Sequence, residues 1–319
     1  MPTYRQGMPS TDDTDTDTVL ADAARFLWTS GRVLEQRRFA LRFGGETDPA
    51  GLLAALDAHR TADGGYGYGL EPDVRGPAAQ PISVPSALRV LAESGPAVGG
   101  RAERALRICD WLAKQAAADG GVPAVLPSLR PYPHPPWLAI ADRPAGDLLT
   151  TGQIVGPLLA AGIEHPWLEA ATDFCRHAVE ALGETHPYEA EAAVAFLDGV
   201  PDRGWEAQQA RRLGALVREQ RLVLLDADHP EQSSLAPGYA PGEYHLAYDY
   251  APRPDSLARA WFSDAEMARS LDHLANAQQP DGGWPINWAL WSPTAAAEAR
   301  PGATLRALLT LRAYGRLNG

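Results

Sequence analysis

The sequence predicts an all-α protein folded as an (α/α)6 toroid, which is a double ring of antiparallel helices. Apolar residues recur with helical periodicity from Val19 almost to the C-terminus, and the alternating patterns typical of β-strands are scarce. An Asp-Gly-Gly turn recurs at the ends of helical segments: Asp63 and Asp119 are 56 residues apart, and Asp281 follows 162 residues later, which is three steps of 54. Asp228 lies 109 residues after Asp119, close to two such steps. A repeat of about 55 residues is one helical hairpin with its connections, and it fits the chain almost six times.

The individual helices are delimited by capping patterns and apolar stripes. Asp48 and Pro49 have the form of an N-cap followed by a first-turn proline, and Ser263 with Glu266 has the form of a capping box. The apolar stripe of a helix is clearest between residues 166 and 182. Eleven helices are expected, at 18–30, 48–60, 84–95, 100–117, 148–161, 166–182, 187–198, 203–221, 254–262, 264–278 and 302–315, and residues 33–44 could supply a twelfth.

Length and charge restrict the class of protein. With 319 residues and no internal stretch of linker composition, the chain is expected to be one large domain at 19–319 behind a polar, acidic, disordered tail at 1–18. The formal net charge is −12, from 28 basic and 40 acidic residues, and the basic residues do not cluster, which argues against nucleic acid as a partner. No apolar run of membrane-spanning length and no charged-then-apolar leader occurs, so we expect a cytoplasmic protein without integral membrane association. The sequence leaves the oligomeric state open.

Few residues are suited to a cofactor. Cys109 and Cys175 lie within helical patterns without Cys or His at zinc-binding spacing, so we expect buried thiols and neither a disulfide nor a metal. Lys114 is the only lysine and lies mid-helix beside Trp111, which does not suit a Schiff-base cofactor such as pyridoxal phosphate. Serine-hydrolase elbows, P-loops, dinucleotide-binding fingerprints and HExxH helices are all missing. No cofactor and no metal are therefore expected.

The predicted topology places the long loops together. If consecutive helices alternate in direction, the helices ending near residues 60, 117, 221 and 278 all end on the same side of the ring. Long loops on a rigid helical scaffold are where binding and catalytic sites are usually built. We call the four loops that should gather there the mouth loops, namely 61–82, 119–147, 222–253 and 279–301.

One segment carries a resemblance to a known family. Residues 273–284, HLANAQQPDGGW, resemble the QW motif of squalene and oxidosqualene cyclases, in which an aromatic-aliphatic step is followed by Gln and then by Gly-x-Trp. Weaker copies end at Tyr66 and Val122. The chain is therefore similar to the prenyltransferase and squalene-cyclase repeat superfamily of terpenoid cyclase-like α/α toroids. The resemblance implies a structural role for Gln278 and Trp284, with the glutamine satisfying a helix end and stacking on the tryptophan.

The catalytic signatures of that superfamily do not occur in the chain. The Asp-x-Asp-Asp run that supplies the protonating acid of class II cyclases is absent, and Thr16 occupies the last place of the Asp-Asp-x-x-Asp metal motif of class I synthases. The segments GGYGYGLEPDVRGP, HLAYDYAPRPDS and QQPDGGWPINWALWSP are similar to uncharacterised bacterial proteins of this length. The resemblance thus implies an uncharacterised bacterial branch, and candidate catalytic residues have to be sought in the mouth loops.

The first mouth loop holds the densest polar cluster. Two carboxylates and a guanidinium follow two tyrosines in a glycine-rich stretch, so they could face a cavity with aromatic walls. A carboxyl group against such walls is favoured in its neutral form and can donate a proton. Glu71 and Asp73 are therefore candidate catalytic residues, and the candidate binding residues are Tyr66, Tyr68 and Arg75. The alternative is that Arg75 forms a salt bridge with one of the carboxylates and only fixes the loop.

The third mouth loop holds a second cluster. His245 and Asp249 are four residues apart and would hydrogen-bond if this stretch formed a turn, which would orient the imidazole as a base. Both are candidate catalytic residues, and Tyr248 and Arg253 beside them are candidate substrate-binding residues. The alternative is an ordinary loop histidine, with Arg253 in a surface ion pair and Asp255 as the N-cap of the next helix.

Tryptophans are concentrated in the mouth loops. Trp137, Trp288 and Trp291 are candidate substrate-binding residues, because aromatic faces stabilise carbocations and also stack on sugars. Plain packing is the alternative for each of them. Glu298 and Arg300 precede the last expected helix and are expected to form a salt bridge with each other.

Together these features predict a protein that binds an apolar or amphipathic small molecule, such as a terpenoid, in an aromatic central cavity. If it is an enzyme, the expected reaction is an acid-initiated cyclisation or isomerisation of an isoprenoid, as in an isomerase or lyase. A carbohydrate-active hydrolase or lyase is the first alternative, because double-ring helical barrels also serve glycosidases, and carboxylate pairs with Trp platforms suit sugars. A non-catalytic binding protein is the second alternative.

Overall fold

The protein is all-α in the residues that the structure describes, as the sequence predicts. The structure is a computed structural model and describes residues 11–95, 100–201 and 204–317, in which twelve α-helices and no β-strand occur. None of the helices in these ranges combines the length and the apolarity of a transmembrane segment. The helices are α1 (Thr11–Ser30), α2 (Val33–Phe43), α3 (Ala50–Asp57), α4 (Val84–Glu93), α5 (Arg101–Leu112), α6 (Leu148–Ala160), α7 (Pro166–Ala181), α8 (Pro187–Gly199), α9 (Trp205–Glu219), α10 (Ala247–Tyr250), α11 (Asp264–Asn276) and α12 (Pro293–Ala313).

The first and last helices are longer than predicted. Helix α1 already begins at Thr11, so residues 11–18 of the expected disordered tail are helical, while residues 1–10 lie outside the described residues. Helix α12 begins at Pro293, where the Ser292 hydroxyl accepts a hydrogen bond from the N–H of Ala295, and it continues through Pro301.

The region between residues 247 and 262 also departs from the prediction. The expected helix at 254–262 is a short 3-10 segment at Leu257–Trp261, and the unexpected four-residue helix α10 precedes it. The Asp249 carboxylate accepts a hydrogen bond from the N–H of Leu246 at 2.8 Å and so closes the turn of α10. A single helical turn leaves no periodic signal in a sequence, which is why α10 could not be predicted.

The helices pack in a repeating order along the chain. The even-numbered helices contact one another in series from α2 to α10, and α12 contacts α2. Each even-numbered helix also contacts at least one odd-numbered neighbour in the chain, and α1 packs against α12, so the first and last hairpins meet. These contacts are those expected of six hairpins arranged around a ring. The complete double ring stays a prediction, because α10 is a single turn.

The recurring Asp-Gly-Gly turn has the same structure in three copies. Its first glycine has a positive φ in each copy, +99° at Gly64, +91° at Gly120 and +93° at Gly282, a conformation that favours glycine. In each copy the aspartate carboxylate accepts a hydrogen bond from the N–H of the second glycine. The carbonyl oxygen of the same glycine accepts a hydrogen bond from the backbone N–H of the residue four positions earlier. Asp228 is not a further copy, because its N–H bonds to the Asp226 carboxylate and no glycine follows it.

Each copy of the turn packs against the next odd-numbered helix. The second glycine lies against an aromatic side chain of that helix, at a distance that leaves no room for a Cβ atom. The pairs are Gly65 with Trp111 of α5, Gly121 with Phe174 of α7, and Gly283 with Phe26 of α1. The turn is therefore a joint between successive hairpins, and its last copy joins the end of the chain to the beginning.

Gln278 and Trp284 hold the end of α11 in place. The Gln278 amide Nε2 donates hydrogen bonds to the carbonyl oxygens of Val19 and Gly282, both at 3.0 Å. Trp284 is buried, and its indole N–H donates to the carbonyl oxygen of Leu274 at 2.7 Å. The Trp284 bond satisfies a carbonyl group in the last turn of α11, and the Gln278 bond to Val19 fastens this end of the helix to α1.

The two cysteines are buried free thiols, as predicted. Cys109 and Cys175 are both fully inaccessible to solvent. Burial raises the pKa of Cys109 to about 12 and raises that of Cys175 as well, so neither side chain is a thiolate at neutral pH.

Candidate functional site

The four mouth loops contact one another, as their predicted positions require. The first loop is bonded to the second and to the fourth, and the fourth is bonded to the third. The links run from the Gln80 amide to the Ser128 hydroxyl at 2.9 Å, from the Trp291 indole N–H to the Asp73 carboxylate at 2.8 Å, and from the Asn287 amide to the Tyr244 carbonyl at 3.3 Å.

Arg75 does not pair with either carboxylate of its own loop. Its guanidinium donates two parallel hydrogen bonds to the Glu298 carboxylate, with 2.9 Å between Nη2 and Oε1. Arg300 bonds to Asp281, so the expected salt bridges of Arg75 within its loop and of Glu298 with Arg300 are both wrong. The cause is the early start of α12, which carries Glu298 into reach of the first mouth loop. Because its donors are occupied, Arg75 positions this loop.

Glu71 is a carboxyl group without a salt bridge in the described part of the chain. Its nearest polar partner is the Ser86 hydroxyl, at a long 3.5 Å. Burial raises the pKa of Glu71 to about 7, and the charge of Asp73 acts in the same direction. A carboxyl group with this pKa is present in both protonation states at neutral pH, as a general acid must be.

This raised pKa predicts how stability depends on pH. The folded protein holds the Glu71 proton more tightly than the unfolded chain, so the stability that this proton contributes is fully present below pH 4.5 and is lost as the pH rises through 7. A Glu71→Gln variant lacks this dependence. Between pH 4.5 and pH 7 we expect the free energy of unfolding of wild type to fall, relative to that of Glu71→Gln, by about 2–4 kcal/mol. Denaturant unfolding of both proteins at several pH values measures this difference. Asp142→Asn, at an exposed position, should follow the wild-type curve; an identical slope in Glu71→Gln would contradict the assignment.

Asp73 has a different environment from Glu71. Burial raises its pKa, and the hydrogen bond from the Trp291 indole partly offsets that effect. The bond connects the first and fourth mouth loops, so Asp73 contributes to their structure. Of the two carboxyl groups in this loop, Glu71 is the better candidate for proton transfer.

His245 is buried and does not bond to Asp249, so the expected hydrogen bond between them is wrong. Its Nδ1 lies 2.5 Å from the Tyr239 hydroxyl and its Nε2 lies 3.3 Å from the Glu191 carboxylate. Burial lowers the pKa of His245, but the bond to Glu191 and the charges of Asp249, Glu191 and Glu243 more than offset it, so the net pKa is raised. The imidazole is therefore held on both sides and favoured in its charged form.

Asp249 faces the same group of charges without direct contact to them. Burial raises its pKa to about 6, and the positive charge of His245 limits the rise. Its bond from the Leu246 N–H fixes the carboxylate at the start of α10. Asp249 is therefore mostly ionised at neutral pH, in contrast to Glu71.

The even-numbered helices bring further charged side chains to this region. Arg38 of α2 and Glu93 of α4 form a salt bridge with 2.6 Å between Nη2 and Oε1, and their side chains are only 7% and 9% exposed. Arg89 of α4 and Arg306 of α12 form neither a hydrogen bond nor a salt bridge with any residue in the described ranges. The guanidinium of Arg306 lies over the Trp288 ring, 5.4 Å from its centroid.

Arg306 connects the two clusters that the sequence predicted separately. Its charge acts on the pKa of Glu71 and of Asp249, and burial is the largest effect on its own pKa, which is lowered. Its side chain is nevertheless exposed to solvent. Arg306 therefore lies among other protein groups, with part of its side chain in contact with water. We call the group around it the charged interior, which consists of Glu71, Arg89, Glu191, His245, Asp249 and Arg306.

Several candidate binding residues lie elsewhere. Tyr66 is 1% exposed in the apolar core, while Tyr68 and Trp137 are surface side chains with 54% and 57% exposure. Tyr66 follows the glycine that packs on Trp111, and this packing turns the tyrosine into the core. Arg253 is exposed and pairs with Asp255 at 3.0 Å, as the surface alternative predicts, so Asp255 binds an arginine and caps no helix.

Three aromatic candidates do lie next to the charged interior. Trp288 covers Arg306, and Trp291 binds Asp73. Tyr248 is beside Asp249, since burial and then the charge of that carboxylate raise the pKa of its phenol well above 10. Trp288 and Tyr248 thus lie beside members of the charged interior, and Trp291 lies at the neighbouring Asp73.

Sequence reasoning missed the residues that the helices contribute, namely Glu191, Arg89 and Arg306. They lie on helices and not in the mouth loops, but the sequence does contain a signal for two of them. Arg89 lies in SALRVLAE and Arg306 in ATLRALLTL, so each is a charged residue inside an apolar helical run. Arginine is rarely buried in such runs without a partner or a function.

A surface cleft of about 590 Å3 lies apart from this site. It is lined by Asp119, Asp173, Phe174, His177 and Ala178. None of these residues belongs to the charged interior. Phe174 packs against Gly121 of the second Asp-Gly-Gly turn. The chemistry of the site is therefore sought in the interior.

No protein-family model matches the chain, and a comparison with curated proteins finds no match either. Among solved structures, the chain is similar to the crystal structure of a protein from Actinoplanes, with a TM-score of 0.57 over 94% of this chain and 100% of that chain. The two sequences are 17% identical. The likeness covers nearly the whole chain and concerns the fold alone.

Proposed function

We propose that the charged interior binds a polar, hydroxylated small molecule and catalyses proton transfer on it, as carbohydrate-active hydrolases and lyases do. The observation that carries this proposal is Glu71, a carboxyl group with a pKa of about 7 and no salt bridge in the described part of the chain. Such a group is suited to act as a general acid at neutral pH. The all-α fold is compatible with this class of enzyme, and that argument is an analogy only.

The charge of the interior favours a polar ligand over an isoprenoid. The guanidinium groups of Arg89 and Arg306 would repel a carbocation intermediate, and covering them with hydrocarbon would cost solvation energy. Tyr66 and Tyr68, expected to stabilise such a cation, lie in the core and at the surface. The carbohydrate hypothesis therefore has more support than the isoprenoid one.

In this proposal the two carboxyl groups have complementary roles. Glu71 is the proton donor, and Asp249, with a pKa of about 6, is the ionised carboxylate that acts as base or stabilises positive charge. His245 is a positioning residue, because its charge keeps Asp249 ionised and its ring is held by Glu191 and Tyr239. Glycoside hydrolysis uses one carboxyl group as the proton donor and a second as base or nucleophile, and these are the two roles assigned here.

The test is a panel of aryl glycosides, oligosaccharides and uronides incubated with the purified protein. We expect turnover of at least one compound, and a loss of roughly 100-fold or more in kcat/KM in Glu71→Gln and in Asp249→Asn. The exposed control Asp142→Asn should keep wild-type activity.

Three results would overturn the proposal. Full activity in Glu71→Gln would remove the proton donor on which it rests. Equal binding of panel compounds by wild type and Glu71→Gln, with turnover by neither, would support a non-catalytic binding protein. Hydrocarbon release from isoprenoid substrates, with no turnover of the panel, would instead support the isoprenoid hypothesis.

A further inference from the structure

Two guanidinium groups of the charged interior form no hydrogen bond and no salt bridge in the described part of the chain. Arg32 and Arg38, in the same region, each bind a glutamate, at 2.7 Å and 2.6 Å respectively. Arg89 and Arg306 bind none. The difference is informative because the planar guanidinium is the side chain best suited to hold an oxyanion through parallel hydrogen bonds.

Arg89 is on the face of α4 that borders Glu71. Ser86, Arg89 and Glu93 are spaced by three and four residues, so they share one face of the helix. That face is fixed at both ends, since Ser86 donates a hydrogen bond to Glu71 and Glu93 binds Arg38 of α2.

Arg306 is on the corresponding face of α12. Glu298, Gly302 and Arg306 are spaced by four residues, and Glu298 binds Arg75 in the loop that holds Glu71. The first mouth loop is therefore bonded to both helix faces. Gly302 carries no side chain that could cover Arg306, and the Trp288 ring supports the guanidinium.

The two positive charges act on each other. Burial and then the charge of Arg306 lower the pKa of Arg89 to about 10. Burial disfavours the charged form of each guanidinium, and neither forms a hydrogen bond or salt bridge within the described residues. An oxyanion bound to them would supply the hydrogen bonds that the protein does not.

We propose that Arg89 and Arg306 form an anion-binding site that takes the carboxylate or phosphate group of an acidic sugar. Each guanidinium donates hydrogen bonds to the oxyanion, and Glu71 lies within reach of the neighbouring part of the same molecule. The choice of a sugar rests on the proposed function. The anion site itself does not, because binding needs no turnover.

The site can be tested by calorimetric titration with a hexuronate, a hexose phosphate and the neutral hexose, at constant ionic strength. We expect an anionic sugar to bind and the neutral one not to bind, and the anion that binds identifies the group as carboxylate or phosphate. Arg89→Met and Arg306→Met should each weaken this binding roughly 10- to 100-fold. Arg269→Met, an exposed arginine on α11, is the matched control and should bind as wild type does.

Stability without ligand separates a binding role from a structural one. Removing an unpaired charge should leave the Tm of Arg89→Met equal to or above that of wild type, whereas a structural arginine would lower it when replaced. Wild-type affinity in both arginine variants, or no binding of either anion together with a lowered Tm, would overturn the proposal.

The outcomes also distinguish this site from the proposed function. Anion binding lost in the arginine variants, with no panel compound turned over by wild type, would retain the anion site and reject the catalytic function. Turnover lost in Glu71→Gln, with normal anion binding in both arginine variants, would reject the anion site and retain the function.

Discussion

Replacing Gly282 with alanine is expected to lower the free energy of unfolding by roughly 2–5 kcal/mol, since a left-handed conformation and a backbone overlap both disfavour the new side chain. Gly282 has a φ of +93°, and a Cβ atom there would collide with the carbonyl oxygen of Asp22 in α1. That oxygen belongs to a helix backbone and cannot rotate away. A denaturant titration of wild type and variant measures the loss, which is large beside a typical total of about 5–15 kcal/mol.

Gly162→Ala is the matched control for this prediction. Gly162 also has a positive φ, +67°, but nothing lies within 4 Å of the position of a Cβ atom. Its variant should lose only the conformational part, roughly 1–2 kcal/mol. Equal losses in the two variants would mean that α1 and the turn at Gly282 are not packed as described.

The repeat shows why much of the fold was predictable. The turns at Asp63, Asp119 and Asp281 depend on local requirements: a positive φ that favours glycine and a carboxylate two residues before an N–H. Because each copy of the turn has these same local requirements, the same residue types recur at the same spacing and can be recognised in the sequence. Asp228 has the spacing without the glycines, and its turn is different.

The candidate site was predictable only in part, because partner choice depends on distant elements. The position of Glu71 followed from its loop, but the partner of Arg75 is 223 residues away on a helix that begins earlier than expected. His245 likewise bonds to Glu191, 54 residues away, and not to its neighbour Asp249. Nothing near these residues in the sequence specifies such contacts.

The second large effect is expected at the salt bridge of Arg38 and Glu93. Both side chains are buried, and two hydrogen bonds, at 2.7 Å from Nε and 2.6 Å from Nη2, join them. Burial lowers the pKa of Arg38, but the charge of Glu93 more than offsets it, so the pair is favoured in its ionised form. Arg38→Leu or Glu93→Leu would leave one buried charge uncompensated, at a cost of about 3–5 kcal/mol.

The double variant distinguishes pairing from packing. If the cost of each single change comes from the charge left behind, Arg38→Leu combined with Glu93→Leu removes both charges and should be more stable than either single variant. A double-mutant cycle of unfolding free energies measures this coupling. Additive losses would contradict a mutual pair and would mean that each side chain is held by other neighbours. Besides Arg38, the charge of Glu93 acts on two other arginines, Arg312 and Arg89, and favours the charged form of each. Of these two, Arg89 belongs to the anion site. In Arg38→Leu the freed Glu93 carboxylate would draw on that guanidinium, so weaker anion binding in this variant is expected even though Arg38 is not part of the anion site.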